Sequence, residues 1–193
     1  EIENTFFYGK FMVYWTRYTE WMVLCPVYFI RIFLRGNYNM PLMKPVNFLE
    51  TMERMYIDSR ILYDKGEYYN CCYLCGYILE CALKYILQEH AVKQDGTSYT
   101  VNDLKDFRHN TSKLNQQLND WLSMTAGISS MYRLDCNNEC PYIFVGREGY
   151  PHWDPAYRYG DHTKWYEREY CKKYMQESEF IFRFVAGIVV GGN

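Results

Sequence analysis

Between Gly66 and His90 the residues Tyr69, Cys72, Gly76, Leu79, Leu83, Ile86 and Leu87 are apolar or small. They recur in steps of three and four, the period of one helical face. This stretch is the chain's central helix. Glu80 and Lys84 stand one turn apart on a more polar side, in the favourable Glu-before-Lys order. A lone helix with such a stripe is not stable in water, so other helices must cover it. Upstream, Phe48, Met52, Met55, Ser59 and Leu62 keep the same period. They predict a helix over Val46–Asp64, with Asn47 as its cap, Glu50 completing a capping box and Lys65-Gly66 as its stop. The link to the central helix is so short that the two must be antiparallel neighbours.

Lys93–Asn102 carries Asp95-Gly96, serine and threonines and reads as a loop. Asn110 or Thr111 can cap a third helix with Leu114, Leu118, Trp121 and Leu122 on one face. Ser123–Pro155 has no sustained period and is long for an irregular connection, so an insertion with some structure of its own is expected over about residues 123–160. Tyr142–Val145 within it has the composition of a short strand. The last helix is expected to start near Asp161–Thr163. It buries Cys171, Tyr174, Ser178, Ile181, Val185 and Ile188, with Phe180, Phe182 and Phe184 widening that stripe and Gly187 and Gly191-Gly192 fraying its end. The predicted fold is all-α: an up-and-down antiparallel helical bundle of four to five helices over residues 40–193, with an irregular insertion before the last helix.

Residues 1–39 differ. Phe6–Leu34 is crowded with aromatic and aliphatic side chains, but Lys10, Arg17, Glu20 and Arg31 interrupt it and Pro26 breaks it. The uninterrupted run Trp21–Ile30 is about half the ~20 residues of a membrane span, and the acidic start does not fit a signal peptide. Three readings stand: an extra helix on the bundle, an interfacial amphipathic segment, or an extension upstream of a natural start at Met40 or Met43.

Composition changes this picture in two ways. A net charge of −2 over 193 residues gives no overall basic excess of the kind that drives nonspecific nucleic-acid binding. Twenty-one tyrosines in a chain that is 19% aromatic suit a core, an interface or a base-stacking surface. Four of the eight cysteines, Cys71, Cys72, Cys75 and Cys81, fall on the central helix, where they act as small hydrophobes. The expected protein is therefore reduced and cytoplasmic. Cys136 and Cys140 with His152 are at most half a zinc site, and no metal or other cofactor is expected. No phosphate-cradling glycine loop or serine elbow is present.

Three segments carry a resemblance. Glu80-Cys-Ala-Leu83-Lys84 fits an A-x-E-x-x-L-K helix, His109-Asn-Thr-Ser-Lys-Leu114 fits H-[DN]-[LT]-x-x-L, and Asp154-Pro-Ala-Tyr157-Arg158-Tyr159 fits a D-x-x-x-R-Y or Y-x-R-Y segment. In this order over Phe48–Val185, the chain resembles the HEPN domain, the higher-eukaryote and prokaryote nucleotide-binding helical bundle. The resemblance implies a bundle that often pairs as a homodimer. It implies a module that binds a nucleotide or RNA segment, or docks a nucleotidyltransferase as in a toxin–antitoxin pair, through His109, Asp154, Tyr157, Arg158 and Tyr159. The alternative it implies is a metal-independent ribonuclease built on an R-x(4–6)-H pair, with arginine on the phosphate and histidine moving the 2′-hydroxyl proton. Candidates for that pair are Arg158 with His162, one residue short, and Arg158 with His152; Arg147 and His152 have the right count but lie in the irregular stretch. Arg158 is otherwise read as an anchor of the last helix to a carboxylate, and His109 as a capping or hydrogen-bonding side chain. A third reading is a structural oligomerisation module.

Overall fold

The computed structural model describes residues 46–125, 129–147, 152–160 and 163–191. The aromatic extension over 1–39 lies outside them. The protein is an all-α helical bundle with an irregular region before its last helix. Four helices are long: α1 (Phe48–Asp64), α2 (Tyr68–His90), α4 (Thr111–Met124) and α6 (Arg168–Gly191). Two are short, α3 (Val101–Asp106) and the single turn α5 (Cys136–Glu139).

The ends of α1 form for the reasons the sequence suggests. The Asn47 side chain accepts from the Glu50 N–H at 3.0 Å. At the other end Gly66 has φ +79°, in the left-handed region. The Gly66 N–H bonds Tyr63 O and the Glu67 N–H bonds Leu62 O, which closes a Schellman stop and turns the chain straight into α2.

The expected stripe of α2 is buried from Cys72 to Leu87, but so are Cys71, Cys75, Ile78, Glu80, Cys81, Ala82 and Lys84. α2 is thus enclosed by α1, α6, α4 and the irregular region. The more polar side expected for Glu80 and Lys84 is interior: they are only 4% and 6% exposed.

The third long helix, α4, is capped by Asn110, whose side chain accepts from the Lys113 N–H at 2.9 Å. It buries Leu114, Leu118, Trp121 and Leu122 as expected. The loop before it is shorter than the sequence suggested. Thr100 and Asp103 form a capping box that starts α3 at Val101.

The region before α6 has the local structure expected of an insertion, though Tyr142–Val145 is not a strand. Pro141–Val145 is a π-turn, held from α6 by Glu177, whose carboxylate accepts from the N–H groups of Tyr142 and Ile143, both at 2.8 Å. Two external acceptors on consecutive amides favour a turn, because a strand would send those amides to opposite edges.

α6 starts at Arg168, after a 3-10 turn over Thr163–Tyr166; the expected cap Asp161 lies outside the described residues. All six stripe residues of α6 are buried. Gly187 does not fray the helix, which runs on to Gly191. The widening is partial: Phe182 stacks on Tyr56 of α1 at 4.5 Å, while Phe180 is 37% exposed. The long return through the insertion sets α6 beside α2 with their starts level, Cys75 against Met175.

Candidate functional site

Along α2, Tyr69, Tyr73 and Tyr77 follow one another at intervals of four and form a row on one flank. The irregular region docks on this row. The Trp153 indole lies directly on Gly76, where an added Cβ would come within 2.0 Å of the ring. Its Nε1–H donates to Tyr73 O at 3.0 Å. The Tyr69 hydroxyl lies 2.5 Å from Tyr157 O and 2.6 Å from Gly160 O. Asp154 caps the 3-10 turn Pro155–Arg158 through the Ala156 N–H at 2.7 Å. These contacts fix the backbone that carries Tyr157, Arg158 and Tyr159.

Tyr77 is the meeting point. Its ring makes edge contacts with Trp153 at 4.9 Å and with His109 at 5.4 Å. Its hydroxyl lies 2.8 Å from that of Tyr73. Burial, followed by the Tyr73 hydrogen bond, pushes the Tyr77 phenol well above its ordinary range, and the nearby Arg158 charge pulls against that rise. His109 thus touches the Tyr77 ring, and the Arg158 charge is close enough to act on the Tyr77 hydroxyl.

His109 is held from below. Its Nδ1 lies 2.8 Å from Glu80 Oε2; the Glu80 side chain is 6% exposed and that of His109 48%. The other oxygen of Glu80 takes Lys84 Nζ at 2.8 Å, and Lys84 also donates to Arg108 O at 2.8 Å. Lys84 further sits 5.6 Å from the centre of the Phe48 ring. Arg108 has φ +50°, an uncommon conformation for a residue with a side chain. It is sustained by Lys84 gripping its carbonyl, and the bend turns His109 onto Glu80. A buried carboxylate satisfied on both oxygens can orient an imidazole at the surface without itself being solvated.

Beside His109 is a pocket of about 410 Å³ lined by Asp106, Phe107, Arg108, Asn110 and Lys113. Two cations and one carboxylate give it a net positive lining. Arg158 is exposed and, among the described residues, lies in no ion pair. Its guanidinium carbon lies 6.0 Å from the centre of the Tyr159 ring, which is 88% exposed.

Of the residues expected in the site, His109 touches Tyr77, the Tyr157 carbonyl is bonded to Tyr69, and Asp154 serves as a backbone cap, while Arg158 and Tyr159 next to them are exposed. His152 is exposed beside Trp153. His162 lies outside the described residues. Tyr73, Tyr77 and Glu80 adjoin these residues although periodicity had singled none of them out; the four-residue spacing of the tyrosines was the available signal. Among the described residues no three His, Cys, Asp or Glu side chains converge as a metal site requires.

The chain matches no family model, no curated protein and no solved structure.

Proposed function

We propose that this bundle is a non-catalytic module that binds a nucleotide or a short nucleic-acid segment on the Tyr77 flank of α2. The observation that carries the reading is the half-exposed His109, oriented by the buried Glu80 carboxylate and in edge contact with Tyr77, whose hydroxyl also feels the charge of the exposed Arg158. A phosphate between them would meet a rigid imidazole and a guanidinium able to bond two of its oxygens. The pocket beside His109 adds Arg108 and Lys113, and the bare Tyr159 ring offers a stacking face for a base. The resemblance of the three sequence segments to HEPN domains points the same way.

The test is fluorescence anisotropy with a labelled single-stranded RNA, with ATP as competitor, on the full chain and on Arg158→Ala. Loss of one charged phosphate contact weakens binding about tenfold and flattens its salt dependence. Saturable binding that Arg158→Ala leaves unchanged rejects this site. Cleavage of the RNA by the wild type but not by His109→Ala replaces the reading with the ribonuclease one, in which His109 takes the place expected for His152 or His162.

A further inference from the structure

Three charged side chains line the hollow beside His109: Asp106, the last residue of α3, Arg108 in the turn, and Lys113 in the first turn of α4. All three are exposed, and among the described residues none of them is in an ion pair. Opposite charges that share a hollow without pairing leave their hydrogen-bonding capacity to a third party. The position of Asp106 sharpens the point. The end of a helix is its negative pole, where a carboxylate without a cation is disfavoured.

We infer that this hollow seats the sugar of a ribonucleotide, with the Asp106 carboxylate accepting from the ribose 2′-hydroxyl. The inference rests on the reading above, in which a phosphate is held at His109. A sugar is joined to its phosphate through a single ester oxygen, so the space beside that phosphate is where the sugar lies. The chemistry of the lining agrees. Arg108 and Lys113 are donors only, and the Asn110 side-chain oxygen already accepts from the Lys113 N–H, which leaves its amide hydrogens to offer. Phe107, half-buried, supplies an apolar wall.

Asp106 alone among these side chains is anionic. A bare phosphate is repelled by it, so the ligand that satisfies the whole lining carries a hydroxyl donor next to its anion. A deoxyribose keeps the phosphate but lacks that donor, and it leaves the carboxylate facing the ligand uncompensated. A site that hydrogen-bonds a hydroxyl rejects the analogue without it, so ribose is selected over deoxyribose. Lys84 holds the arrangement in place from below by gripping the Arg108 carbonyl at 2.8 Å.

The experiment competes labelled single-stranded RNA on the full chain with ATP and with dATP, for the wild type, Asp106→Ala and Arg158→Ala. On the wild type ATP is expected to compete about tenfold better than dATP, the size of one lost hydrogen bond to a charged group. In Asp106→Ala that preference disappears, while dATP binds at least as well as before because a negative charge has left the site. Arg158→Ala weakens both nucleotides and keeps the preference. Asp106 has no ion-pair partner to lose, so its variant is expected to melt no lower than the wild type. Equal competition on the wild type, or a preference that survives Asp106→Ala, overturns the inference and leaves the phosphate reading at His109 standing. A wild type that binds neither the RNA nor either nucleotide overturns both.

Discussion

On the side of α2 that meets α6 the buried groups are mostly aliphatic carbons, aromatic rings and thiols, with the hydroxyls of Ser178 and Tyr174 among them. On the side that meets the α3–α4 turn a buried carboxylate and ammonium hold a half-exposed imidazole. The first side loses little by burial even when its packing is imperfect, because apolar groups need no partner. The second is stable only while every member of the network stays paired. Shape holds one flank and charge pairing the other. The proposed binding site uses the second, because a network that fixes its own members also fixes what they present to solvent.

The largest expected effect breaks the ionic side. Glu80→Ala leaves Lys84 as a buried charge without its carboxylate and His109 without its orienting bond. A loss of about 3–5 kcal/mol in stability is expected from chemical denaturation. Combining it with Lys84→Met removes the stranded charge and should recover part of that loss. If Glu80→Ala alone costs under about 1 kcal/mol, the flank is no more demanding than an exposed ion pair, and the contrast fails.

A smaller loss is expected where the irregular region docks by shape. Gly76→Ala puts a methyl group into the Trp153 ring. The indole must leave, at about 3 kcal/mol by analogy with overpacked cores and lost aromatic burial. The signature is non-additivity: after Trp153→Ala, adding Gly76→Ala should cost little more. RNA binding should weaken in both single variants, since Trp153 fixes the backbone of Tyr157–Tyr159.

These two sites show what the sequence made legible. The stripes of α1, α4 and α6, the caps at Asn47 and Asn110 and the stop at Gly66 follow from short-range rules, and each is in the fold. The environment of Glu80 and Lys84 was not legible. An i,i+4 ion pair has the same local pattern on a surface and in a core, and only the α3–α4 turn closing over it decides which. Gly76 read as a small residue in a stripe; its role needs Trp153, which lies far along the chain and outside any periodic segment. Tyr142–Val145 read as a strand because its composition suits one, and the carboxylate that bends it comes from α6. Long-range partners decided all three.

The third prediction uses pH to separate a carboxylate that is bonded yet costly from one that is simply paired. Burial raises Glu177 to about 7, against the pull of the Tyr142 and Ile143 amides and of Arg147. The folded state then holds a proton that the unfolded state, near the ordinary 4.5, has released. Between those values the folded chain binds more protons, so stability falls as pH rises from about 4.5 to 7, by up to ~3 kcal/mol. His90, lowered by burial, acts in the opposite sense near its ordinary value. The difference between wild type and Glu177→Gln isolates the carboxylate: the advantage of the glutamine variant should grow from pH 5 to pH 8 in urea melts. A flat difference would show that the π-turn amides, not burial, set the ionisation of Glu177.

The smallest effect asks whether the two flanks communicate through α4. Asn110→Ala removes the cap of α4 and should cost about 1 kcal/mol, the same as Asn47→Ala at the start of α1. The two caps are chemically alike but differ in what adjoins them. Asn47 begins a helix that only packs, whereas Asn110 follows His109 directly and lines its pocket. Equal losses of stability with weakened RNA binding in Asn110→Ala alone would place the binding surface at the α3–α4 turn. Equal weakening in both would mean that binding follows global stability, and the charged flank would then hold the fold together without reading a ligand.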